Sequence, residues 1–229
     1  MSNKPLRIFI GFDSAEPIAY HVCCQSILEK ASRPVSFTPV GLINVPDEYT
    51  RPRGERDSTE FAISRFLVPW MCDFQGQALF MDCDMLFRGD VAELFDSVST
   101  DKSVFVVKHD YIPKSDRKFL GQKQTRYIKK NWSSVMLFNN AQCKALSLDY
   151  VQNAQGLELH QFKWLNDSEI GELEPTWNHL VGEYPESNIA KNLHFTLGGP
   201  YFSDYQDTDH AADWFDVLGR ALVPMSSIK

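Results

Sequence analysis

The stretch Leu79-Phe-Met-Asp-Cys-Asp-Met-Leu-Phe87 decides the fold, because an apolar strand pattern that starts at Gln77 stops there on two carboxylates. Further apolar, β-branched runs predict buried strands over 6–10, 35–40, 104–107 and 135–138. Helical patterns lie over 17–30 and over 58–70, where Ser58 and Thr59 are expected to cap the helix and Pro69 to kink or end it. Strands that alternate with helices are typical of a layered α/β fold.

The carboxylate pair at the end of this strand indicates a metal site. Asp82 and Asp84 are two residues apart, so their side chains point the same way on an extended segment. Ligands of α/β sheets bind at the carboxyl ends of strands, and a divalent cation held by two carboxylates keeps positions open for phosphate oxygens. The alternative is an ordinary Asp pair at a strand-to-turn junction, since Asp-x-Asp is common by chance.

Two other segments carry candidate ligands. Asp13 follows the first strand, where it could accept hydrogen bonds from a nucleobase imide or, alternatively, cap the next helix. His194 is a candidate third metal ligand through a neutral imidazole, although a lone His is more often a hydrogen-bonded structural residue. Gly198 and Gly199 follow it closely and could let backbone N–H groups approach a phosphate.

Length and composition predict a packed globular protein. The chain has 229 residues, of which 43% are hydrophobic and 23% charged, so we expect one domain over residues 1–229. The net charge of −7 argues against a nucleic-acid binder, which needs a basic surface. There is no apolar run of the ~18 residues that a membrane span requires, and no signal-peptide pattern. Five Cys without metal-ligand spacing favour reduced thiols in a cytoplasmic protein.

One basic segment stands out in this acidic chain. Residues 114–130 hold seven Lys or Arg against one Asp, a net charge of +6. The segment is either a solvated loop and helix face or a flexible segment over the active site that attracts an anionic donor or acceptor. The acidic run over 204–216 is interpreted as surface.

Several segments, in order along most of the chain, resemble retaining glycosyltransferases of family 8, the group that includes glycogenin and bacterial lipopolysaccharide galactosyltransferases. They are Phe9-Ile-Gly-Phe-Asp13, Ser64-Arg65-Phe66, Leu79–Phe87 with the helix pattern over 88–95, Ser133–Asn139, Leu173–Asn178 and His194-Phe-Thr196. No single segment is specific, but their order is. The resemblance implies a GT-A fold with a mostly parallel mixed sheet flanked by helices. It also implies retaining, metal-dependent transfer of a hexosyl unit, glucose or galactose, from a UDP-sugar to a saccharide-type or other acceptor.

The resemblance also implies roles for particular residues. Asp82, Asp84 and His194 would bind Mn²⁺ or Mg²⁺ between the two phosphates of the donor. Arg65 would orient the acids and the donor sugar, and Gln161 would contact that sugar, so Asp82, Asp84, Arg65 and Gln161 are the expected catalytic residues. Gly11 and Asp13 would meet uracil and ribose. The other expected donor contacts are Phe12, Cys83, Ser133, Ser134, His160, Gly198 and Gly199.

The chain departs from the family pattern at four points, one of which is Trp132 in the place of an Asn, and alternatives remain open. His160 stands where the family has an Asp before Gln161, which leaves the sugar undecided, and Ser134 replaces a Gly. The Lys that the family has after His194 is missing. The alternatives are a nucleotide-sugar binding protein with little turnover and an interaction module with structural acids. A haloacid dehalogenase-type phosphatase is a third, but that class has Asp-x-Asp on its first strand.

Overall fold

The structure, a computed structural model, describes residues 4–55, 57–122, 124 and 126–222, so Lys123 of the basic segment lies outside the described residues. Within them the strands are β1 Leu6–Gly11, β2 Val35–Val40, β3 Gln77–Met81, β4 Met85–Phe87, β5 Val104–Val106, β6 Val135–Asn139, β7 Ile170–Glu172, β8 His179–Leu180 and β9 Asn192–His194. The α-helices are α1 Pro17–Lys30, α2 Val68–Met71, α3 Val91–Asp96, α4 Leu148–Asn153, α5 Gly156–His160 and α6 Ala211–Ala221.

The main sheet is mixed and has the strand order β2-β1-β3-β6-β5-β7. The β1–β2, β1–β3 and β5–β7 pairs are parallel, whereas β6 is antiparallel to both of its neighbours. Met81 pairs with Ile10 and with Val135, so β1 and β3 end where β6 begins. The predicted α/β class with a mostly parallel sheet is confirmed. Residues that follow β1 and β3 or precede β6 therefore lie along one edge.

A second, small sheet brings His194 to the same edge. Its order is β4-β9-β8, and Met85 of β4 pairs with His194 at the end of β9. The backbone N–H of Phe195 donates to the Asp84 carbonyl at 2.9 Å, which extends this pairing by one residue. Because β4 starts directly after Asp84, strand pairing alone places the imidazole beside the two carboxylates.

The predictions over 17–30, 35–40 and 77–81 match α1, β2 and β3. The prediction of one helix over 58–70 is wrong, because the chain forms turns up to Ile63, then a 3₁₀ turn over Ser64–Leu67 and then α2. Thr59 caps no helix, and its buried hydroxyl has no hydrogen-bond partner among the described residues. Pro69 lies in the first turn of α2, where a missing N–H group costs nothing.

The acidic run over 204–216 contains the start of a helix that the sequence interpretation missed. In α6 the side chains of Trp214 and Val217 are buried, while Asp213 and Asp216 are exposed. The helix contacts α1 through Arg220, whose Nε and Nη2 atoms donate to the Glu29 carboxylate at 2.9 and 2.8 Å. No helix in the described part of the chain is long and apolar enough to cross a membrane.

Candidate functional site

Three predicted ligands meet at the edge of the sheet. One ligand atom each from Asp82, Asp84 and His194 lies within 4.8 Å of the others. The Asp84 Oδ1 atom is 3.4 Å from Nε2 of His194, and both side chains are almost completely buried. The three side chains therefore converge, as the sequence predicted.

Asn178 fixes the orientation of the His194 ring. Its Nδ2 group donates to the Ser134 hydroxyl at 2.8 Å, so its Oδ1 atom is the one that faces His194 Nδ1, at 2.9 Å. A side-chain amide oxygen only accepts, so Nδ1 of His194 carries the proton in this contact. The second ring nitrogen, Nε2, is left to face Asp84. An imidazole whose other N–H group is held by an acceptor is the usual arrangement of a metal-ligating His.

The acidic residues fit a hard divalent cation. Asp84 Oδ1 is buried and has no hydrogen-bond partner among the described residues. Burial opposes ionisation of Asp84, but His194, Lys118 and a backbone hydrogen bond together hold the pKa of this carboxyl below its usual value. Two carboxylates and one imidazole form a donor set that Mn²⁺ and Mg²⁺ accept. A cation between Asp84 and His194 would satisfy the orphaned oxygen.

Arg65 holds the other carboxylate. Its Nη1 group donates to Asp82 Oδ1 at 2.7 Å and to the Ser133 carbonyl at 2.9 Å, and its guanidinium lies 5.1 and 5.0 Å from the ring centres of Phe61 and Phe80. Burial raises the pKa of Asp82 to about 6 against the opposing charge of Arg65. The structure thus brings Arg65 onto the acid pair, and its role towards a sugar stays a prediction.

The segment after β1 lies at the same edge but is tied to backbone groups. The Asp13 carboxylate is buried and accepts from the N–H groups of Ala15 at 2.9 Å and Glu60 at 3.0 Å, rather than capping α1 directly. A Cβ atom on Gly11 would meet the Phe61 ring at 2.6 Å, which explains the glycine by packing. Phe12 packs edge-on against Tyr20. Nucleotide contacts of 11–13 stay predictions.

His160 lies beside Arg65, whereas Gln161 has no side-chain hydrogen bond among the described residues. His160 Nδ1 is 2.7 Å from the Ser133 hydroxyl. Burial and the positive charge of Arg65 lower the pKa of His160 to about 3, so the ring is neutral. The structure thus places His160 next to Ser133, and the roles of His160, Ser133 and Gln161 towards the donor stay predictions.

The two glycines after β9 have a packing role. The Gly198 N–H group donates to the Phe195 carbonyl at 2.8 Å, so this amide is not available to a phosphate in this structure, in contrast to the expectation. A Cβ atom on Gly198 would meet the Tyr205 ring at 2.6 Å, and one on Gly199 would overlap Tyr201. A phosphate contact of Gly199 stays a prediction.

A third acidic side chain at the site was missed. Glu16 is 3% exposed and accepts a hydrogen bond from the Tyr201 hydroxyl, with Cys83 Sγ at 3.7 Å from its other oxygen. Burial and the negative charge of Asp84 raise the pKa of Glu16 to about 8, so most molecules carry it protonated at pH 7. An acidic residue directly before a helix that begins with Pro is common, so the sequence alone did not indicate the contact between Glu16 and Tyr201.

The basic segment lies against the site rather than apart from it. The Phe119 N–H group donates to the Leu197 carbonyl at 2.7 Å, close after His194, and the Gln122 side-chain amide donates to the Ser58 carbonyl at 3.0 Å. Phe119 is 4% exposed, whereas Arg117 and Leu120 on either side of it are exposed, so the segment contacts the site at Phe119 and meets solvent elsewhere.

Comparison with known proteins identifies the fold. No family model matches the chain. Protein CDI from Arabidopsis thaliana is 41% identical over 225 residues, which cover 94% of this chain and 87% of that protein. The apo structure of the bifunctional glycosyltransferase WbbM superposes with a TM-score of 0.66 at 14% identity over 95% of this chain, which spans about 50% of WbbM. The galactosyltransferase LgtC, solved with donor and acceptor sugar analogues, gives 0.64 at 12% identity and coverages of 96% and 98%. The fold is that of GT-A glycosyltransferases.

Proposed function

The chain belongs to the family of Protein CDI from Arabidopsis thaliana, and from this premise and its glycosyltransferase fold we propose that it transfers a sugar from a nucleotide-sugar donor. The observation that carries the proposal is the buried, unpartnered Asp84 oxygen that faces His194 Nε2. The donor is a UDP-sugar, with glucose or galactose as the sugar, and the acceptor is a saccharide-type or related molecule. Retention of configuration and membership of glycosyltransferase family 8 are part of the same proposal.

Asp82, Asp84 and His194 hold Mn²⁺ or Mg²⁺ in this proposal. When bound, the ion would act as a Lewis acid that neutralises charge on the leaving diphosphate. Arg65 keeps Asp82 in place through the 2.7 Å ion pair, and Asn178 keeps the His194 ring turned so that Nε2 faces the carboxylates. Ligands fixed in this way lose little freedom on binding, which favours tight and correctly oriented coordination.

The remaining residues at the edge would bind the nucleotide and the sugar. Gly11 ends β1, Asp13 follows it, and both would meet uracil and ribose. The neutral His160 ring, beside Arg65 and Ser133, would offer a donor or an acceptor to a sugar hydroxyl, with Gln161 next to it. A single hydrogen bond of this kind separates epimeric sugars, so His160 is the expected determinant of donor choice.

Thermal-shift titration tests the binding step. UDP, GDP and ADP are titrated with and without Mn²⁺ into wild type, Asp84→Asn and the control Asp213→Asn, whose carboxylate is exposed on α6. A ligand at 100 times its Kd adds about 2.7 kcal/mol, or a rise in Tm of about 5–10 °C for a chain of this size. We expect this rise for UDP with Mn²⁺ in wild type and in Asp213→Asn, and none in Asp84→Asn. No response of wild type to any nucleotide would refute the proposal.

A further inference from the structure

Two lysines of the basic segment, Lys118 and Lys130, are partly buried beside the candidate metal site. Burial lowers the pKa of Lys118, and Asp84 and Asp82 act in the opposite direction, so its ammonium group lies within electrostatic reach of both carboxylates. The residue after Lys130, Asn131, donates from its side-chain amide to the Thr196 hydroxyl at 3.3 Å and accepts at its carbonyl from the Ser134 hydroxyl at 2.7 Å, which places Lys130 next to the residues around His194. Burial lowers the pKa of Lys130 to about 8, and Lys118 and Glu183 are the charges that act on it.

The backbone holds Lys118 in this position from both sides. The adjacent Phe119 is buried, stacks on Phe202 with ring centres 5.2 Å apart and donates its N–H group to the Leu197 carbonyl. The Lys118 N–H group donates to the Gln122 carbonyl at 3.0 Å, and the side chain of Gln122 reaches the Ser58 carbonyl. Lys118 is thus fixed between the loop after His194 and the loop before Arg65.

Neither ammonium group forms a direct ion pair. Among the described residues no ion pair involves Lys118 or Lys130, whereas Lys129, the residue before Lys130, pairs with Asp167 at 2.6 Å. The Lys114 ammonium, at the exposed start of the segment, donates to the Gly182 carbonyl at 3.0 Å. Asp84 and Asp82 attract Lys118, and Glu183 attracts Lys130, which offsets part of the cost of desolvating two neighbouring cations. Without a direct partner, both ammonium groups keep donors for a bound anion.

The position of the two lysines indicates which anion they take. Residues 195–205, which follow the proposed metal ligand His194, contain no Lys or Arg, so this loop offers no cation of its own. A Lys ammonium is a compact charge with three donors and binds phosphate oxygens well without requiring a planar partner.

We propose that Lys118 and Lys130 bind the diphosphate of the donor, an inference that rests on the proposed function. Lys118 contacts the diphosphate beside the metal triad, and Lys130 adds a second charge behind it. The contacts of Phe119 and Gln122 hold Lys118 in place before the ligand arrives, and the two positive charges would favour departure of the negatively charged leaving group. The basic segment is in this way part of the donor site.

Isothermal titration in the presence of Mn²⁺ tests the inference. UDP, UMP, uridine and inorganic pyrophosphate are titrated into wild type, Lys118→Met, Lys118→Arg and Lys130→Met, with Lys114→Met as the matched control for net charge. We expect Kd for UDP and for pyrophosphate to rise at least tenfold in Lys118→Met and at least threefold in Lys130→Met. Lys114→Met is expected to stay within about threefold of wild type, and Lys118→Arg, which keeps the positive charge, is expected to lose less affinity than Lys118→Met. The Tm without ligand shows that each variant is folded.

The outcomes separate the inference from the proposed function. If wild type binds UDP but Lys118→Met and Lys130→Met bind it equally well, the inference is overturned and the proposed function stands. If wild type binds pyrophosphate in a Lys118-dependent way but no nucleotide, the anion site stands and the proposed function fails. Equal weakening of UDP and uridine in Lys118→Met also overturns the inference, because the lost contact is then not with phosphate. Absence of binding to both UDP and pyrophosphate overturns both.

Discussion

Replacing Arg65 by Met tests how the acid pair is held. The substitution keeps an unbranched side chain between Phe61 and Phe80 but removes the donor of the 2.7 Å bond to Asp82. Both side chains of the pair are shielded from solvent, since that of Arg65 is 6% exposed and that of Asp82 is 16% exposed. Removing one partner of a buried ion pair costs about 3–5 kcal/mol, because the carboxyl left without its counter-charge must either stay charged or take up a proton while buried. With about 2–4 °C per kcal/mol for a chain of this size, Tm should fall by about 6–20 °C.

The assay is urea and thermal unfolding followed by circular dichroism at pH 7. Arg33→Met serves as the control, because its 2.9 Å pair with the exposed Asp96 is a surface contact and should cost less than about 1 kcal/mol. Adding Asp82→Asn to Arg65→Met removes the unpaired charge, so the double variant should be more stable than the sum of the single variants by about 1 kcal/mol or more. A loss in Arg65→Met no larger than in Arg33→Met, or strict additivity, would refute the reasoning.

Three further predictions concern stability. Gly11→Ala should cost about 1–3 kcal/mol in urea unfolding, because the new Cβ meets the Phe61 ring at 2.6 Å, and an unchanged midpoint would contradict that contact. Burial lowers the pKa of His109 to about 3, so the folded protein keeps this ring neutral while the unfolded chain protonates it. Below about pH 6.5 His109 should therefore lower the free energy of unfolding by about 1.4 kcal/mol per pH unit, in addition to the same contribution from His160, and His109→Phe should remove its share of this slope. Arg220→Met should cost less than about 1 kcal/mol, because its pair with Glu29 is exposed. The hydrogen bond from Arg220 lowers the pKa of Glu29, so the stability that this pair adds should be lost as the pH falls below about 4.3. If Arg220→Met and wild type lose stability in the same way below this pH, the pair contributes nothing.

The convergence of Asp82 and Asp84 was predictable because strand geometry is local. A period of two places Asp82 and Asp84 on one side of the chain at the end of a buried strand, and the carboxyl ends of neighbouring parallel strands meet at one edge. The pattern also predicted α1 and β3 with the bounds found, since Pro17 and the apolar run 78–81 are unambiguous signals.

The rest depends on contacts between distant parts of the chain. The pairing of β4 with β9, which delivers His194, joins two three-residue strands that carry no distinctive pattern. Glu16 meets Tyr201 across 185 positions, and α6 is stabilised by burial of Trp214 rather than by its acidic sequence. The positive charge of the segment that contains Lys118 was evident from the sequence. Its position beside the site was not, because that position depends on the hydrogen bond from the Phe119 N–H group to the Leu197 carbonyl.

Turnover of UDP-sugars tests the central claim most directly. Release of UDP from UDP-glucose and UDP-galactose is measured with Mn²⁺ and with a chelator, in wild type, Asp84→Asn and Asp213→Asn. We predict release from at least one donor that requires the metal, is lost in Asp84→Asn and is unchanged in Asp213→Asn. If wild type binds UDP with Mn²⁺ but releases none from either donor, or if Asp84→Asn is as active as wild type, the account of a metal-dependent transferase is contradicted.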